Sequence, residues 1–143
     1  MHGRRSSLRT FGIAAAALTG ALLLAGCSGA PFSSDYAGVP TNAPNESSND
    51  PSANTPVAVW TTDGTSIALT TFGSSSCPAA PTKVEVVSAT KLSMPLKATG
   101  GEVCTADFAP HTYEIPKPDG IDASKSITID FGHTLTATLA PAS

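Results

Sequence analysis

Apolar positions in the chain follow two regimes. Residues 11–24 form a nearly continuous apolar run behind Arg4, Arg5 and Arg9, whereas from Pro56 onward apolar and polar residues alternate in short stretches. Val57, Val59 and Trp60 lead through Thr61 and Thr62 to Asp63-Gly64, and Ile67, Leu69 and Thr71 alternate beyond it. That pattern predicts two strands joined by a hairpin, because a tight Asp-Gly turn needs the positive φ that glycine adopts freely. The same period of two predicts strands over residues 82–89, 92–98, 111–115, 126–131 and 134–139, with turns at Gly100-Gly101, residues 116–120 and Gly132-His133. After residue 27 no stretch keeps apolar residues at i, i+3, i+4 and i+7 for three turns, so the expectation is all-β.

About seven short strands in fewer than 90 residues fit a small single-domain β-sandwich of immunoglobulin-like type, with a small, partly open barrel as the alternative. Trp60 precedes Cys77 and Cys104 instead of lying between them, unlike antibody domains, and is expected in the core. Pro110, Pro116 and Pro118 bracket residues 111–115 as an edge strand, since proline cannot donate to a ladder.

The first regime is an export signal: a basic start, an apolar run of h-region length and a small-residue exit, with no basic cluster behind it to stop transfer. Its end, Leu24-Ala25-Gly26-Cys27, resembles the lipobox of bacterial lipoproteins. That resemblance implies cleavage before Cys27, a diacylglycerol on its thiol, and a mature chain lipid-anchored on the extracytoplasmic side of the cell membrane. Two or more acyl chains hold a protein where one does not. The Arg4-Arg5 pair leaves both the general and the twin-arginine export routes open, with Ser7 departing from the twin-arginine pattern.

Residues 27–55 are almost entirely Ser, Asn, Pro, Ala, Gly, Thr and Asp, with Phe32, Tyr36 and Val39 as the sizeable apolar side chains. The composition predicts a disordered linker between the signal (1–26) and the β domain (56–143), reaching roughly 30 Å as a coil and up to about 95 Å when stretched.

Removing the signal changes the charge. Five lysines and no arginine then face eleven carboxylates, leaving −6. An acidic surface without guanidinium groups is repelled by phosphate backbones, which argues against nucleic acid and leaves the acyl chains as the source of membrane attachment. Once Cys27 is lipidated, Cys77 and Cys104 remain as an even pair and are expected to form a disulfide in an oxidising compartment.

Two blocks stand out: Gly73-Ser74-Ser75-Ser76-Cys77-Pro78 and Cys104-Thr105-Ala106-Asp107. Together they resemble a group of small secreted and lipoprotein-anchored actinobacterial proteins without an assigned activity, a likeness that supports the disulfide and supplies no mechanism. A catalytic serine needs a base within hydrogen-bond reach and usually a G-x-S-x-G elbow, which the serine run lacks. Ser74, Ser75 and Ser76 therefore serve first to satisfy backbone groups near the disulfide. Asp107 is expected to accept backbone N–H groups in its own turn. His111 and Glu114, three apart on a strand, point to opposite faces and make a poor metal pair. No metal, cofactor or catalytic set is assigned.

These readings lead to a monomeric, non-enzymatic interaction module of the envelope, with Ser74, Ser75, Ser76, Asp107 and His111 as the candidate binding loops. The alternatives are a small hydrolase or metal-binding protein using His111, Asp107 and a serine of the run, and a structural envelope component.

Overall fold

The computed structural model describes residues 29–44 and 54–143, and these described residues are all-β, with ten strands. Cys27 and the segment expected to be an export signal lie outside the described residues.

The predicted hairpin is present. β2 (Val57–Trp60) pairs antiparallel with β3 (Ser66–Gly73), bringing Trp60 opposite Ile67. Gly64 turns the chain at φ +67°, and Asp63 fastens the loop by accepting the Thr61 hydroxyl at 2.6 Å and the Thr65 N–H at 3.1 Å. β3 runs antiparallel to β8 (Ala109–Pro116), which in turn pairs with β1 (Ser34–Ala37), giving a sheet of order β1-β8-β3-β2.

The second sheet has order β10-β9-β6-β5, built from β5 (Glu85–Ser88), β6 (Lys91–Ser93), β9 (Ile127–Gly132) and β10 (Leu135–Leu139). Its β6–β9 pair is parallel and the other two are antiparallel. β4 (Ala79–Pro81) and β7 (Leu96–Ala98) form a separate two-stranded sheet at the side. Among the described residues no sheet closes on itself, and the arrangement fits a small sandwich instead of a closed barrel.

The core lies between the two large sheets. Ile67, Leu69 and Ile115 from one meet Leu92, Ile127, Ile129, Phe131 and Leu139 from the other. Alternation in β9 places Ile127, Ile129 and Phe131 inward, and β10 delivers Leu139 fully buried. Trp60 belongs to this core, and its indole N–H donates to the Ala140 carbonyl at 2.8 Å, as a buried indole requires.

Three expectations need correcting. Residues 82–89 and 92–98 are not two strands: the first holds only β5, and the second is divided between β6 and β7. Thr82 to Val84 and Met94-Pro95 interrupt the ladders, and Pro95 offers only a carbonyl, which accepts the Thr82 N–H at 3.0 Å.

The strand between the prolines is central, not an edge. β1 covers only residues 111–114 of it, so Pro110 and Pro116 lie outside the stretch where a donor is wanted on that side.

The third correction concerns the segment predicted as a linker, whose residues 34–37 form β1. Burial of a continuous face is not what orders them. They add to an existing edge, and a few anchors hold the addition: Phe32 packs on Tyr113 with centroids 4.9 Å apart, the Ser33 N–H donates to the Glu114 carbonyl at 2.8 Å, and the Gly38 N–H donates to the Pro110 carbonyl at 2.9 Å. On the outer face the Thr112 hydroxyl gives its one proton to the Gly38 carbonyl at 2.7 Å, which leaves Thr70 as donor in the buried Thr70–Thr112 contact of 2.8 Å.

The β9–β10 turn places His133 and Thr134 at φ 50° and 67°. A β-branched residue is strained in that region, where glycine is not. Replacing Thr134 by Gly should therefore raise the unfolding free energy by about 1 kcal/mol, measured by urea denaturation. An equal loss would show that the threonine side chain contributes more than its backbone costs.

Candidate functional site

The residues singled out by sequence divide into two places. Ser74, Ser75, Ser76 and Asp107 come together beside the disulfide, and His111 does not join them.

Cys77 and Cys104 are bonded, with Cα atoms 5.4 Å apart and 27 residues between them in sequence. The bridge ties the loop after β3 to the loop before β8. Gly100 makes the approach possible: at φ +95° its α-carbon lies so close to the facing backbone that a Cβ would stand 2.3 Å from the Ser76 carbonyl oxygen. Any side chain there would push the two loops apart.

Polar groups then lock the loops across the bridge. The Thr105 N–H donates to the Ser76 hydroxyl at 2.9 Å, and the Ser75 N–H donates to Asp107 at 3.0 Å. The Thr105 hydroxyl also gives its proton to Asp107, so Ser74 is the donor in its 2.9 Å contact with Thr105. Asp107 thus accepts a backbone N–H as expected, but from Ser75 of the facing loop, while its own turn supplies the Thr105 hydroxyl. Hydrogen bonds from Ser75 and then Thr105 hold its carboxyl well below the usual carboxylate range.

Apolar residues surround this polar knot. Phe72 and Phe108 stack with centroids 5.7 Å apart and planes 11° from parallel. Phe108 is 41% exposed and Val103 87% exposed, the latter the most exposed of the large apolar side chains.

His111 sits on β8, opposite Thr71 and Ala37. Its Nε2 is 2.7 Å from Asp35 of β1, and its ring lies 5.0 Å from that of Tyr113. Tyr113 is held between Phe32 and His111, and burial, with a smaller contribution from the Asp35 charge, pushes its phenol up to about 12. Glu114 faces the other way and accepts the Ser34 hydroxyl at 2.9 Å.

The Asp35–His111–Tyr113 group was missed at the level of sequence because Asp35 lies in the segment expected to be disordered. The visible signal was Phe32 and Tyr36, two aromatic residues in an otherwise small and polar stretch.

The chemistry available follows from these partners. Asp107 is bonded to Ser75 and Thr105, and His111 to Asp35, so the hydrolase arrangement of serine, His111 and Asp107 is divided between two separate networks. Among the described residues no three His, Cys, Asp or Glu side chains gather as metal ligands. No family model, curated protein or solved structure matches the chain.

Because Asp107 is bonded as a carboxylate, its depressed value stabilises the folded loops above about pH 4, the ordinary range of a free Asp, and that contribution fades as pH falls toward the folded value. An NMR titration of the Ser75 amide should show no inflection between pH 5 and 3, while Asp107→Asn should shift that resonance at neutral pH. An inflection near pH 4 would contradict the assigned bonds.

Proposed function

We propose that the chain is an extracytoplasmic lipoprotein, held to the membrane through acyl chains on Cys27, whose β-sandwich is a non-enzymatic interaction module of the cell envelope. The observation that carries this reading is the disposition of the three cysteines. Cys77 and Cys104 are spent on each other in a bond suited to an oxidising compartment, which leaves Cys27 as the odd thiol, directly after an apolar run ending Leu24-Ala25-Gly26.

Two further features support it. The Ser74–Ser76 and Cys104–Asp107 blocks resemble those of small secreted and lipoprotein-anchored actinobacterial proteins, and their polar groups are bonded to each other in ways that serve the fold. His111, the imidazole nearest those blocks in sequence, is engaged with Asp35. Such internal bonding favours a module that presents a rigid surface over one that moves protons.

The mature protein should therefore be recovered from membranes beginning at Cys27, with the added mass of a diacylglycerol unit, and should enter the detergent phase on phase separation. Cys27→Ala should abolish both the added mass and the partitioning. Recovery of native protein with a free Cys27 thiol would overturn the reading.

A further inference from the structure

The expected long linker would hold the domain far from the bilayer, but β1 shortens the connection. Phe32 is already packed against Tyr113, and the Ser33 N–H is bonded to Glu114. Four residues lie between Cys27 and Phe32, a covalent reach over five Cα–Cα steps of at most about 17 Å. A domain so fastened cannot stand off from its anchor.

The first described residues also fix which side of the sandwich is nearest. Gly29 to Phe32 lie along β4 and β7, lining with Ala80, Pro81 and Thr99 a shallow groove of about 340 Å³. Lys97 is the one charged side chain among its lining residues, although the chain beyond Cys27 carries −6 overall. The groove lining thus carries no carboxylate, and on the β1 edge beside it Asp35 is paired with His111 at 2.7 Å. Thr99 leads directly into the disulfide-fastened loop, and Val103 follows four residues later, within about 14 Å of it. Val103 is 87% exposed on a segment held by Cys104. A rigidly presented aliphatic side chain beside a lipid anchor is suited to the headgroup boundary.

We propose that the domain lies flush on the bilayer, with its β1 edge and β4–β7 sheet against the headgroups and Val103 inserted at their boundary with the acyl region. The proposal rests on lipidation of Cys27. It makes the outer leaflet itself the occupant of this face and turns the far edge, where β2 and β10 meet, toward the envelope. In the β1-containing sheet those two edges are three strand spacings apart, about 14 Å.

The test uses the full lipidated chain reconstituted in phosphatidylcholine–phosphatidylglycerol vesicles containing brominated lipid. Val103→Trp is compared with Thr138→Trp on β10, both at exposed positions, with the constant signal of buried Trp60 subtracted from each. The expected result is severalfold stronger quenching of the tryptophan at position 103. Equal, weak quenching of both in protein whose lipid mass is verified would overturn the flush orientation while leaving the anchored reading intact. Protein recovered with unmodified Cys27 would remove the anchored reading and the orientation with it.

Discussion

Pairing of Ser34–Ala37 with β8 is the contact on which the arrangement of the molecule depends. Without it, residues 111–114 would present an open row of backbone donors and acceptors, the situation that leads strands to add to foreign chains. β1 closes that edge. Phe32 covers Tyr113, Asp35 pairs with His111, and Gly38 supplies the carbonyl that satisfies buried Thr112. One short strand, mostly exposed itself, thereby completes the sheet, caps the aromatic side of the sandwich and fixes where the chain departs toward Cys27.

A second constraint acts at the other end of β8. The Cys77–Cys104 bond joins two irregular loops, and the serine run, Thr105 and Asp107 fill the space between them with short hydrogen bonds. In a domain of this size a single core supplies limited stability, and a cross-link over 27 residues contributes roughly 3 to 4 kcal/mol in the chain-entropy model. The loop blocks that stand out as motifs are thus accounted for by the need to hold a bend in place. Their hydroxyls bond across the bend, and Gly100 keeps the backbone opposite Ser76 and Cys77 free of a side chain.

Most of the fold was legible from periodicity. The β2–β3 hairpin, β9 and β10 were all signalled by alternation; in β9 and β10 it matches the inward face, whereas in β2 the buried residues are Ala58 and Trp60 with Val57 and Val59 half-buried, and most of β3 is buried on both faces. Interruptions at residues 82–84 and at Met94-Pro95 were harder to see, because Val84 keeps the phase of Val86 and Leu92, Met94 and Leu96 alternate straight through the second break. β1 was invisible for a different reason. Its Ser-Asp-Tyr-Ala sequence has no inward face to advertise, and its order comes from an edge supplied by residues far along the chain. The candidate site divided in the same way: serines, Thr105 and Asp107 were placed together by the cysteines flanking them, while the partner of His111 lay in the segment whose composition argued for disorder.

Docking of β1 is most directly tested by amide hydrogen exchange in the full chain at neutral pH. The Ser33 and Gly38 amides, which donate to the Glu114 and Pro110 carbonyls at the two ends of the strand, should exchange at least about 100-fold more slowly than in an unstructured peptide. Exchange of both at free-peptide rates would show that the segment is a true linker, and would return the domain to a long and loosely oriented tether.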